Sequence, residues 1–156
     1  MTHTIRPAER GDDAGLTTLL RSIGWFQHMQ AEEPQQTLAT VSAQLERCLS
    51  SDGHTILVAQ SPAGDVVGFV AIHWLPYLFM RGPEGFISEL FISDDSRGQG
   101  LGTRLLDAAV AAARERGCSR LHLMNHRSRE SYQRGFYEKA GWTERAEAAD
   151  FVYVLE

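Results

Sequence analysis

Ser96-Arg97-Gly98-Gln99-Gly100-Leu101-Gly102-Thr103 sets three glycines at alternate positions at the start of the strongest helical pattern in the chain. From Thr103 to Arg116 no Gly or Pro intervenes, and Leu101, Leu105, Ala108, Ala109, Ala112 and Ala113 recur at the spacing of one apolar helical stripe. Upstream, Phe86-Ile87-Ser88-Glu89-Leu90-Phe91-Ile92-Ser93 has the length and composition of a strand and ends at the turn formers Asp94, Asp95 and Ser96. The unit is strand, glycine-rich turn, helix. The first turn of a helix has amides without intrahelical partners and the positive end of the macrodipole. Glycines let a phosphate approach those amides and permit the positive φ that aims them at one point. A plain strand-to-helix connection with no ligand is the alternative, and three glycines in five residues beside an arginine rank phosphate binding above it.

Two common phosphate loops are excluded. A P-loop needs a Gly-Lys pair, and Lys139 is the sole lysine. A dinucleotide fingerprint needs G-x-G-x-x-G with an acidic residue about 20 positions on; this loop reads G-x-G-x-G and is followed there by Ser119-Arg120-Leu121. The spacing present is Arg-x-x-Gly-x-Gly, as Arg97, Gly100 and Gly102. Between a strand and a long helix, it resembles the acyl-CoA pyrophosphate loop of the GNAT superfamily of N-acetyltransferases. A second stretch, Gly135-Phe136-Tyr137-Glu138-Lys139-Ala140-Gly141-Trp142, resembles the Phe-Tyr-Glu-Lys-x-Gly-aromatic segment of the same family. The resemblance covers the second half of the chain well, and the first half only in the order of its elements.

The resemblance implies a mixed α/β fold: a mostly antiparallel central sheet with flanking helices and one parallel βαβ crossover carrying the CoA loop, as one domain over residues 1–156. It implies acetyl-CoA as co-substrate, with the backbone of Phe91 and Ile92 along the pantetheine arm and Arg97, Gly98, Gln99, Gly100, Leu101, Gly102 and Thr103 around the pyrophosphate. The reaction is direct attack of a primary amine on the thioester. An aliphatic ammonium titrates near about 10.4, so a proton acceptor is needed. Glu89, an acid in an otherwise apolar strand, is the candidate base, ranked equal with a surface carboxylate or a structural ion pair. The family's acid often stands one position earlier, where this chain has Ser88. Tyr137 resembles the general acid for the departing sulfur. Seven residues before it, where the family often has asparagine, stands Glu130, and Asn125 is out of register.

Composition sets the outer bounds. At 156 residues, with 43% hydrophobic and 22% charged residues, a single domain with its own core is expected. No apolar run approaches the ~20 residues of a membrane span, and Met1-Thr2-His3-Thr4 lacks a basic-then-apolar leader pattern, so a cytoplasmic protein is expected. Cys48 and Cys118 lack C-x-x-C spacing and fit reduced thiols, with one bridge between them as the alternative. The net charge of −5 divides unevenly: residues 97–139 carry nine basic against four acidic side chains. That suits a second half facing a polyanionic co-substrate and a first half facing a neutral or cationic acceptor, or it is ordinary solvated surface. An acidic chain without an aromatic-interleaved basic stripe argues against nucleic acid.

Taken in order, the chain predicts an edge strand at Thr4 to Pro7, a helix capped by Asp12 or Asp13 and stopped by Gly24, and a helix from Pro34 to Leu49. Trp25 to Met29 is an aromatic cluster, either packing onto the core or walling a substrate. His54 to Ala59 and Val66 to Trp74 form a hairpin. Leu75 to Pro83 is a substrate-side loop, with core packing or a homodimer contact as alternatives. Arg120 to Asn125 is the strand after the crossover, Glu130 to Ala140 a helix, and Trp142 to Arg145 with Phe151 to Leu155 a closing hairpin. His122 and His126 would share a strand face, yet two histidines without a third ligand do not make a zinc site, and no metal is expected. His28, His54 and His73 are further base candidates, and Cys118 a minor acyl-cysteine option. The expected acceptor is a small-molecule amine. A non-catalytic acyl-CoA sensor, a peptide N-acetyltransferase and a nucleotide-binding regulatory module are the rivals.

Overall fold

The computed structural model describes residues 2–155. It divides into two compact units between Met124 and Asn125. The first contains β1 (Thr4–Pro7), a single 3-10 turn, α1 (Asp13–Ile23), α2 (Gln27–Ala31), α3 (Pro34–Leu49), β2 (His54–Gln60), β3 (Val66–Leu75), β4 (Glu84–Ile92), a second 3-10 turn, α4 (Leu101–Glu115) and β5 (Arg120–Leu123). The strands form one sheet in the order β1-β2-β3-β4-β5, antiparallel through β4 and parallel between β4 and β5. This is the mixed α/β sheet the sequence predicts, with α4 as the connection between its parallel pair.

Local chemistry sets most boundaries. Gly24 ends α1 in the left-handed conformation, with φ 76°. Pro34 occupies the first turn of α3, and Glu33 and Gln36 close a reciprocal capping box ahead of it. Asp12 does not cap α1. Both its oxygens accept from Arg6 at 2.8 Å and one also accepts from the Glu9 amide, so this nearly buried carboxylate ties β1 to the first turn. The Arg6 guanidinium accordingly holds the Asp12 carboxyl below its ordinary range.

Alternation along the central strands gives the sheet two differently covered faces. Val58, Phe69 and Ala71 pack with Leu16, Leu19, Leu20, Val41 and Leu45 of α1 and α3. On the other face, Val70 and Ile72 are fully buried, as are Leu101, Leu105 and Leu106 of α4, which packs on β2, β3 and β4. A buried leucine of this kind is worth roughly 2–3 kcal/mol. The aromatic cluster after α1 packs inward in part: Phe26 and Met29 join the first core, and the rings of Trp25 and Phe26 each meet Phe91 edge-on at 5.7 Å.

The start of the parallel pair is pinned twice. Glu84, 2% exposed, opens β4 opposite Arg120, which opens β5, and the guanidinium Nε donates to its carboxylate. Just before them, the Gly82 amide donates to Ser119 Oγ at 2.9 Å and the Ser119 amide donates to the Pro83 carbonyl at 2.9 Å. The preceding loop is therefore latched at its end, while Leu78 and Phe79 at its tip are exposed.

The second unit departs from expectation. The predicted helix from Glu130 to Ala140 is two short helices, α5 (Glu130–Gln133) and α6 (Phe136–Lys139), separated by Gly135 at φ 68°. The predicted closing hairpin is not formed: among the described residues 142–155 carry no strand, only a turn in which the Ala148 amide donates to the Arg145 carbonyl at 3.2 Å. The Trp142 end is held otherwise, with its amide on the Tyr137 carbonyl and Glu144 accepting from Arg127 and Tyr132. Phe151 to Leu155 are each at least 76% exposed, because strand propensity in Phe, Val and Tyr expresses itself only against a partner ladder.

Candidate active site

The predicted site residues of the first unit lie on one continuous path: down β4, through the Asp94–Ser96 turn, and into the start of α4. β4 pairs with β5 only from Glu84 to Ile87, whereas it pairs with β3 as far as Ile92. Beyond Ile87, the edge of β4 turned away from β3 has no strand partner among the described residues, and Phe91 and Ile92 lie on that stretch. Phe91 sends its ring into the core against Phe69, Trp25 and Phe26, so only its backbone is available to a ligand.

Within β4 the ladder slips. Glu89 is opposite Ala71 and Ile87 opposite Ile72, which leaves Ser88 as the extra residue of a bulge. A bulge sets two successive side chains on one face. Ser88 and Glu89 both face the side of His73, and Ser88 Oγ lies 2.7 Å from His73 Nε2. The sequence does carry a sign of this, since two adjacent polar residues in an apolar run break the two-residue period, but the bulge itself was not anticipated. The second unforeseen feature is a ring pair: His54 and His73 are opposite each other in the β2–β3 register, with their Nδ1 atoms 2.8 Å apart.

The glycine-rich turn has the geometry of an anion seat. Gly98 and Gly100 adopt φ 75° and 74°, and no atom lies within 4 Å of where a Cβ would stand on either. Gly100 is the residue before α4, and its carbonyl receives the first helical bond from the Arg104 amide at 3.0 Å. Among the described residues, none of the amides from Gly98 to Thr103 donates to a group of the chain. The Arg97 guanidinium sits 3.2 Å from Asp94, at the mouth of the same turn. Leu101 faces the core, and Gly102 and Thr103 complete the first turn. The donors present fit a pyrophosphate, which offers only acceptors.

Burial pushes the Glu89 carboxyl above the ordinary carboxylate range. Its charge in turn helps to raise the nearby Cys48 thiol. Among the described residues no cation pairs with Glu89 and no donor is hydrogen-bonded to it, so the structural ion pair is not formed. A folded pKa above the unfolded one gives stability that is fully present below the unfolded pKa and lost as pH rises through the folded pKa. Glu89→Gln is therefore expected to be more stable than the parent at about pH 8 and to lose that part of the pH dependence, read from urea midpoints across the acid-to-neutral range. Superimposable parent and variant midpoints would refute the buried carboxylate.

Tyr137 belongs to the second unit, on α6, with Phe136 and Trp142 edge-on at 4.9 and 6.1 Å. Burial raises its phenol above the ordinary range, and Arg134 works against that rise. Its hydroxyl has no hydrogen-bond partner among the described residues. Asn125 donates to Ser131 at 3.0 Å, while its buried Oδ1 accepts nothing.

Several secondary candidates separate. His122 is on β5, its ring 5.4 Å from Phe86, but the strand ends at Leu123 and does not carry His126. Among the described residues no group of three His, Cys, Asp or Glu could hold a metal. No described helix is long and apolar enough to cross a membrane. Cys48 and Cys118 are both free, and burial raises both thiols, which disfavours a nucleophilic thiolate.

The sequence model of the Acetyltransferase (GNAT) family matches residues 20–142. The thialysine N-epsilon-acetyltransferase of Bos taurus is 24% identical over 152 residues, covering 88% of each chain. The L-methionine sulfoximine/L-methionine sulfone acetyltransferase of Pseudomonas aeruginosa is 40% identical over 73 residues, which are 46% of this chain and 40% of that enzyme. The chain thus spans less than half the length of that relative. In architecture, a transcriptional regulator of Bacillus halodurans superposes with a TM-score of 0.82 at 24% identity, covering 97% of this chain and 99% of that one. Because the family match runs through both the glycine-rich turn and the Tyr137 segment, and the sheet has the expected topology, the chain belongs to the GNAT acetyltransferase family.

Proposed function

We propose that the chain is an N-acetyltransferase that moves the acetyl group of acetyl-CoA to the primary amine of a small molecule by direct attack. The observation that carries this reading is the run of unpartnered amides from Gly98 to Thr103 on a turn with open space at Gly98 and Gly100. They bind the pyrophosphate, with Arg97 and Gln99 beside it, and the free edge of β4 at Phe91 and Ile92 offers backbone groups to an extended pantetheine arm as a neighbouring strand would. In this reading Glu89, whose carboxyl burial raises above the ordinary carboxylate range, takes the amine's proton, and Tyr137, a phenol kept protonated, donates to the sulfur. A small amine acceptor is favoured by the relatives, since the thialysine and methionine sulfoximine enzymes are both named for small amino compounds.

The test begins with binding. CoA at a hundredfold over its dissociation constant stabilises a fold by about 2.7 kcal/mol, which is readily seen as a rise in melting temperature. CoA and acetyl-CoA are expected to raise it, and ATP and NAD are not; the reverse would favour a nucleotide-binding module. Thiol release from acetyl-CoA is then measured against amino acids, polyamines, aminoglycosides and peptides. CoA binding without turnover of any of these would favour a sensor, and turnover of peptides alone a protein acetyltransferase.

A further inference from the structure

The bulge of β4 brings Ser88 to one end of a hydrogen-bonded chain that crosses three strands. Ser88 Oγ is 2.7 Å from His73 Nε2, and His73 Nδ1 is 2.8 Å from His54 Nδ1. His54 opens β2, His73 is its register partner on β3, and Ser88 is exposed. His54 is half-buried, and its Nε2 has no partner among the described residues. We infer that Ser88, His73 and His54 form a proton wire, which accepts a proton from the attacking ammonium at Ser88 Oγ and releases one to water from His54 Nε2.

Two proton arrangements satisfy the chain. In the first, the Ser88 hydroxyl donates to His73 Nε2, His73 Nδ1–H donates to His54 Nδ1, and His54 carries its own proton on Nε2. An ammonium held at Ser88 then gives its proton to Oγ as the hydroxyl proton passes to His73 Nε2. The His73 Nδ1 proton passes to His54 Nδ1, and the Nε2 proton of His54 leaves. One proton enters, one leaves, and the amine gains its lone pair. In the second arrangement, the one this transfer leaves behind, His54 Nδ1–H donates to His73 and His73 Nε2–H donates to Ser88. After the product leaves, a proton taken up from water at His54 Nε2, the same two hops reversed, and a proton released to water from Ser88 Oγ restore the first arrangement.

The surroundings suit that role. Burial and the neighbouring His54 lower the His73 pKa, so its ring is neutral and able to accept near neutral pH. Other titratable groups on this side of the sheet include Glu89 of β4, Cys48 at the end of α3, and His122 of β5 beyond Phe86. None of them is hydrogen-bonded to the wire. Glu89 has no onward partner among the described residues, so a proton that it takes leaves only by exchange, whereas a proton taken at Ser88 has a defined exit. The wire is a second route beside Glu89, and it rests on the acetyltransferase reading.

Three measurements test it together. His73→Gln and Ser88→Ala are each expected to lower kcat about tenfold with the KM for acetyl-CoA unchanged, at the low end of what proton transfer contributes. The acid limb of the kcat profile should move with His73→Gln, and the double variant should be no slower than either single one, because both break one wire. Unchanged limbs, or effects that multiply, would overturn the wire. Independently of activity, nitrogen-detected imidazole spectra of the intact protein should show coupling between the Nδ1 atoms of His54 and His73 across a shared proton. Its absence overturns the wire whatever the enzyme does. Coupled nitrogens in a protein that turns over no amine would instead overturn the acetyltransferase reading beneath it.

Discussion

Tyr137→Phe is expected to lower kcat by about 10²-fold or more while leaving the melting temperature and the stabilisation by CoA unchanged. The stability half of that expectation follows from the hydroxyl, which has no hydrogen-bond partner among the described residues, so its removal orphans nothing. The ring contacts with Phe136 and Trp142 survive the substitution. The rate half follows from where charge develops. As the thioester breaks, the sulfur becomes anionic, and a phenol hydrogen bond there is worth more in the transition state than in the ground state. Thiols titrate near about 8.5 and phenols near about 10, and burial raises this phenol further, so complete transfer runs uphill and the contribution proposed for Tyr137 is a hydrogen bond to the forming thiolate. The raised pKa also keeps the phenol protonated through neutral pH, which places any loss of activity from its ionisation on the alkaline side. Steady-state thiol release between neutral and alkaline pH checks both statements. A variant as fast as the parent would remove Tyr137 from the mechanism and leave the rest of the proposal standing.

Gly82→Ala is expected to be the most damaging small substitution in the first unit, at about 3 kcal/mol, the upper end of overpacking. A Cβ at this position would stand 2.1 Å from the carbonyl oxygen of Gly117, and that obstacle is backbone rather than a flexible side chain. Neither side can yield cheaply. Ser119 bonds Gly82 and Pro83, and the next residues are the buried Glu84 and its partner Arg120. For a chain of this size the loss corresponds to a fall of roughly 6–12 °C in melting temperature. Gly98→Ala is the control: it meets no atom but must adopt φ 75°, a cost of about 1–2 kcal/mol. If both variants melted alike, backbone conformation and not the close approach would govern the latch.

The sequence carried those features whose cause is local. Glycine spacing announced the turn before α4, Gly24 and Pro34 marked helix ends, and the two apolar runs His54 to Ala59 and Val66 to Trp74 marked a hairpin. Family resemblance added the co-substrate. What it did not carry depends on partners distant in the chain. The contact of His54 with His73 exists only because β2 and β3 pair in one register and not its neighbour. Gly135 was a residue of low helix propensity inside an otherwise helical run, and taking up positive φ there splits the helix in two. The apolar stretch from Phe151 to Leu155 has the composition of a strand, but a strand needs a ladder, and composition does not say where that ladder is. Asp12 showed the same limit on a smaller scale. Its place suited a helix cap, yet the nearby Arg6 is a stronger partner than an amide.

The bulge at Ser88 also makes β4 tolerant to shortening at one place. With residue 88 deleted, Ile87 and Glu89 become consecutive opposite Ile72 and Ala71, which are themselves consecutive, and every flanking side chain keeps its face. Deleting Leu90 gives a strand of the same length with the opposite outcome, because the ladder becomes regular by carrying Glu89 opposite Val70, onto the apolar side covered by α4. In length variants of this chain, a gap at 88 is silent to the fold and removes only the serine, whereas a gap two residues later carries the Glu89 carboxylate through to the face packed against α4.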